Sequence, residues 1–178
     1  SIAEKVEKVL KESKENLDET IRRAEEDLKR SRDHLRKLIE ENKRSLDRIK
    51  EEVDRRIKGR EILKEIEEML KRNDDRLKEI LREVEEADRR SREELKRILD
   101  EAREVHKEIR RKIDERRDDS DAIEKLITDL RKINEEADRK VKEIIKRNRD
   151  INKKVEDDLR ELNKESTTVL REVVERER

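Results

Sequence analysis

Two histidines, His34 and His106, are the only histidines in this sequence and the natural starting point for any chemistry near neutral pH. An imidazole can move protons or ligate a metal, but both tasks need partners. His34 could pair with Asp88, yet nothing around Ser31, His34 and Asp88 suggests a water-excluding pocket or an oxyanion hole. A carboxylate metal site in a helical bundle needs a Glu-x-x-His motif. Arg103 stands three residues before His106, and Ser31 three before His34, so the motif is missing at both. On antiparallel helices the two histidines would lie roughly 30 Å apart and could not share an ion. The run Asp119-Ser120-Asp121 opens like a calcium loop, but the later ligand and the loop glycine do not follow. There is no cysteine and no Gly-rich phosphate loop. The expectation is therefore no enzyme, no catalytic residue, no metal and no cofactor.

The elements that would position these residues follow from composition and period. Charged residues make up 60% of the 178-residue chain and hydrophobic residues 29%, with 53 Lys and Arg against 53 Asp and Glu. Such a balance excludes the basic field of a nucleic-acid binder and the polybasic face of a membrane binder. Single-stranded nucleic-acid binding also wants aromatic rings, and the sequence has none. No apolar run approaches the roughly 18 residues of a membrane span, and no signal-peptide pattern opens the chain. What remains is a disordered polyampholyte or long helices with a narrow apolar seam.

Periodicity decides for helices. Val6, Leu10, Ser13, Leu17, Ile21, Ala24, Leu28, Ser31, Leu35, Leu38, Asn42, Leu46, Ile49, Val53 and Ile57 follow one another by threes and fours. The mean step is about 3.6 residues, the α-helical period. A second stripe runs from Ile66 to Ile113 and a third from Ile123 to Val173. Spacings by eleven (Ser13, Ala24, Leu35, Leu46) mix with spacings by seven (Asn134, Val141, Asn148, Val155), so nearly straight helices with weak supercoil are expected.

Two breaks divide the stripes. Gly59, the only glycine, follows Lys58, which suits a left-handed cap at a helix C-terminus. Asp118, Asp119, Ser120 and Asp121 form the second break. Asp121 with Glu124 has the spacing of a capping box, while Asp119 or Ser120 would serve equally as the cap. The reading is one all-α domain spanning 1–178, an elongated up-down-up antiparallel three-helix bundle. Its helices cover about 2–58, 60–117 and 120–177, and each has about 57 residues and a length of roughly 85 Å.

Small polar residues interrupt the stripes. Antiparallel packing brings together positions equally far from a turn, and three polar levels result. The first groups Asn42 and Ser45 with Asn73, Asn163 and Ser166. The second groups Ser31 and His34 with Asp88, Ser91, Asn148 and Asn152. The third groups Ser13 and Asn16 with His106 and Asn134. Asn is a mediocre helix former and an odd surface choice beside so much Glu, Lys and Arg. A buried polar layer with every group satisfied rejects shifted registers, because slippage strands its donors. These levels are expected to set register and helix pairing, as a buried Asn does in coiled coils.

With its Glu/Lys/Arg/Asp surface, its Leu/Ile/Val/Ala seam, its equal helices, Gly59 and the Ser/Asn/His levels, the whole chain resembles de novo, parametrically designed three-helix bundles with buried hydrogen-bond networks. Spectrin-like repeats normally carry a core Trp, and apolipoprotein-like helices are punctuated by Pro; neither residue occurs. The resemblance implies a thermostable structural scaffold without an evolved function. It requires no partner and would be soluble in the cytoplasm of a recombinant host. A monomer is favoured, because most of the stripes are one seam wide. The alternative is an interaction module or a subunit of an oligomer, hinted at by doubled positions such as Ile98–Leu99 and Ile144–Ile145.

Overall fold

The computed structural model of the chain describes residues 2–176. It is an all-α three-helix bundle of α1 (Ile2–Arg56), α2 (Arg60–Glu115) and α3 (Ser120–Arg176). None of these helices is long and apolar enough to cross a membrane. Glu4, Glu61 and Asp121 stand in the first turns, and Arg55, Arg56, Lys112 and Arg176 in the last, each matched to the helix dipole.

All the residues of the three stripes are buried or half-buried. The helices form because a 3.6-residue stripe gives each one a single face to remove from water, at about 1.5–3 kcal/mol per fully buried Leu, Ile or Val.

The chain divides into two compact units. One unit holds the described residues up to Lys29 together with Arg89–Asn148. Its core has two clusters, one around Leu17, Leu28, Leu95 and Ile144 and one around Val6, Ile109, Ile113 and Leu130. Asp18 meets Arg103, Glu7 meets Arg110, and Glu94 meets Arg147. Ascending numbers on α1 pair with descending numbers on α2, so these helices are antiparallel.

The second unit holds Arg30–Asp88 with the described residues from Arg149 onward. One cluster fills it, including Leu35, Val53, Ile80, Leu159 and Val173. Arg32 meets Asp88, and Arg36 meets Glu85, which again makes α1 and α2 antiparallel. His34 meets Glu156 and Ser45 meets Asn163, so α1 and α3 run parallel, as up-down-up order requires.

The turns differ from the sequence reading in a consistent way. Helix α1 ends at Arg56 and α2 at Glu115, two residues earlier than expected in each case. Gly59 is not a left-handed cap: no glycine has a positive φ. Its carbonyl instead accepts the Leu63 amide at 3.0 Å, which makes it the N-cap of α2. The expectation failed because glycine serves at both helix ends, and the residues beside it do not say which. At the second turn the N-cap is Asp119. Its carbonyl accepts the Ile123 amide at 3.1 Å, and its Oδ1 accepts the Ala122 amide at 3.2 Å. Ser120 and Asp121 therefore lie inside the first turn of α3, and Glu124 closes no capping box.

Candidate functional site

The most complete polar constellation is Ser13–Asn134–His106, which takes one residue from each helix. Ser13 and His106 are buried and Asn134 is half-buried. Asn134 Nδ2 donates to the Ser13 carbonyl at 3.1 Å and closely approaches the Ser13 hydroxyl. The amide oxygen of Asn134 faces His106 Nε2 at 2.9 Å. A backbone carbonyl can only accept, so the Ser13 carbonyl fixes which end of the Asn134 amide is nitrogen. The oxygen must then face His106, and Nε2 must carry the proton. Burial pushes the His106 pKa below its ordinary value, while the Asn134 bond and the nearby Asp18 carboxylate push back and Lys14 adds to the depression. Asn16, expected in this level, is exposed and stands outside it. Ile133 packs against both apolar clusters of this unit, so it bridges the core where the polar residues interrupt it.

The level of Asn42, Ser45, Asn73, Asn163 and Ser166 resolves into separate contacts. In the core, Asn73 Nδ2 donates to Ser166 Oγ at 2.6 Å, and Ser166 donates to the Leu162 carbonyl at 3.0 Å. At the surface, the Ser45 hydroxyl donates to Asn163 Oδ1 at 3.1 Å. Asn42 turns back onto its own helix and donates to the Leu38 carbonyl at 3.0 Å. Thus α1 joins α3 outside the core, and α2 joins α3 inside it.

The remaining level is divided between the units. Ser91 and Asn148 belong to one, and both are buried. Ser31, His34, Asp88 and Asn152 belong to the other. There Asp88 is buried, Ser31 and Asn152 are half-buried and His34 is exposed. His34 does not pair with Asp88; its Nε2 lies 3.0 Å from Glu156 Oε1. Asp88 instead accepts from Arg32 Nη1 at 3.2 Å. Both partners are withdrawn from water, with side-chain exposures of 16% for Arg32 and 12% for Asp88. Arg32 Nε is buried without a hydrogen-bond partner, 3.7 Å from Asp33.

Arg32 was not singled out by the sequence, where one arginine among so many charged residues reads as surface. A signal existed: Arg32 follows Leu28 by four and precedes Leu35 by three, so it sits on the buried stripe itself. Elsewhere the charges form exposed pairs. Glu19 accepts from Arg22 and Arg23, and these bonds lower its pKa to about 2. Such exposed pairs contribute little to stability.

No group of three or more His, Cys, Asp or Glu is placed to hold a metal ion among the described residues. No family model, no curated protein and no solved structure matches the chain.

Proposed function

We propose that the chain is an artificial structural scaffold, a monomeric coiled-coil-like bundle in which buried polar groups select helix pairing and register. The observation that carries this reading is the Ser13–Asn134–His106 contact. It links three helices and uses both ends of one amide. A register shift would strand those groups in the core, at about 1–3 kcal/mol for each one left unpaired. Asn73–Ser166 supports the same role between α2 and α3. The monomer reading is supported by the surface: Ile2 is the exposed large hydrophobic residue among those described. The doubled positions Ile98–Leu99 are half-buried against their own core.

The test replaces the network by apolar side chains in one variant, Ser13→Ala, His106→Leu and Asn134→Leu. The parent should have a solution mass near 21.8 kDa and a melting temperature above about 90 °C. The variant should stay helical and stable, yet lose uniqueness through a second set of amide resonances or a larger mass. A variant with one set of resonances and the parent's mass would sink the register role.

A further inference from the structure

We infer that the cleft between α1 and α2 beside His106 binds a small organic anion, a carboxylate carrying a short apolar body. The cleft has a volume of about 330 Å³ and is lined by Leu10 and Lys14 of α1 and by Arg103, His106, Lys107 and Arg110 of α2. Four of its six walls are cationic and none is acidic, in a chain whose acids and bases balance. Three other grooves each hold two glutamates among their cations: Glu41 and Glu156, Glu94 and Glu143, Glu101 and Glu136. The segregation sets this cleft apart from those three grooves. A volume of this size falls at the small end of the range of organic-ligand sites.

The second observation is His106 itself. It is 9% exposed, and its Nε2 is committed to Asn134. No described residue partners Nδ1, although His106 lines the cleft. Leu10, the imidazole ring and the stems of Lys14 and Lys107 offer apolar surface that an inorganic ion would leave wet. An apolar body on the ligand covers it, while the carboxylate meets the cations.

Arg103 and Arg110 already hold Asp18 and Glu7, each at 3.1 Å. Those pairs are about half exposed and easily exchanged for a ligand carboxylate. A bound anion also favours the imidazolium form, whose Nδ1–H can donate to it while Nε2–H stays on Asn134. Lys14 of α1 opposes that protonation, and Arg103, Lys107 and Arg110 of α2 line the same cleft. Asp18 of α1 favours protonation, Glu7 of α1 is held by Arg110, and α3 contributes the uncharged Asn134. Binding should therefore take up a proton and strengthen as pH falls.

The experiment follows the ring resonances of both histidines in the full chain during a titration with hexanoate, at fixed ionic strength and pH 6. Acetate and hexanol serve as comparison ligands. Saturable movement at His106, with His34 unmoved, is expected; acetate should bind several-fold more weakly, and hexanol should not protonate the ring. Lys14→Gln and Arg103→Gln should each weaken hexanoate several-fold while helix content holds. Equal movement at both histidines, a non-saturating response, acetate binding as tightly as hexanoate, or unchanged affinity in both variants would overturn the proposal.

Discussion

Asn73 and Ser166 share a 2.6 Å hydrogen bond inside an otherwise apolar cluster, and the Ser166 hydroxyl in turn donates to the Leu162 carbonyl at 3.0 Å. The chain of donors is directional, so its two ends respond differently to mutation. Ser166→Ala leaves the buried Asn73 amide without this acceptor and should cost about 1–3 kcal/mol in urea unfolding. The double variant Asn73→Leu with Ser166→Ala removes both partners and should recover most of that loss. Equal destabilisation by the single and double variants would refute the coupling.

The Arg32–Asp88 pair should behave more severely. Its partners are largely buried, and Arg32 Nε already lacks a hydrogen-bond partner. Asp88→Ala leaves a withdrawn cation and should destabilise by about 3 kcal/mol, the lower end for a broken buried pair. Arg32→Met with Asp88→Leu should be near neutral, because desolvation of the pair offsets most of its attraction. A double variant as unstable as Asp88→Ala would show that the pair contributes more than it costs.

Acid should weaken the bundle through His106. Its folded pKa is depressed chiefly by burial, whereas the unfolded chain takes up a proton near the ordinary value of about 6.5. Below that pH the unfolded state binds more protons, so stability falls as pH drops toward the folded pKa and is fully present above about 6.5. Urea midpoints at pH 8 and pH 5.5 should differ in this direction, and His106→Asn should shrink the difference. A midpoint that rises on acidification would contradict the assignment.

The turns make opposite predictions for two small residues. Asp119→Ala removes the cap on the Ala122 amide and should cost about 1 kcal/mol, whereas Asp121→Ala should cost clearly less. Gly59→Ser should hold or slightly raise stability, since Gly59 has no positive φ and Ser is the better N-cap of the two. A loss well above 1 kcal/mol would restore the left-handed cap that the sequence suggests.

The polar levels show where the sequence could be read and where it could not. Asn73, Asp88, Ser91, His106, Asn148, Ser13 and Ser166 interrupt the stripes and are all buried. Asn16, His34 and Asn163 share those levels by number but are exposed. Level is a matter of rise along the axis, at 1.5 Å per residue, and is legible from the distance to a turn. Whether a side chain faces the core is a matter of rotation, at about 100° per residue. One residue of offset is enough to move a group from core to rim. Arg32 illustrates the reverse, a charge on the buried face that composition disguises.

By itself the sequence determined three helices, their breaks and their antiparallel order, because period, chain length and turn positions are local quantities that need no partner. Tertiary structure alone decided which polar groups meet: that Asn134 bridges Ser13 and His106, that Asp88 takes Arg32 rather than His34, and that Gly59 begins a helix rather than ending one. Those outcomes depend on helix rotation and on which donor reaches an acceptor within about 3 Å, and neither is set until the apolar faces have packed.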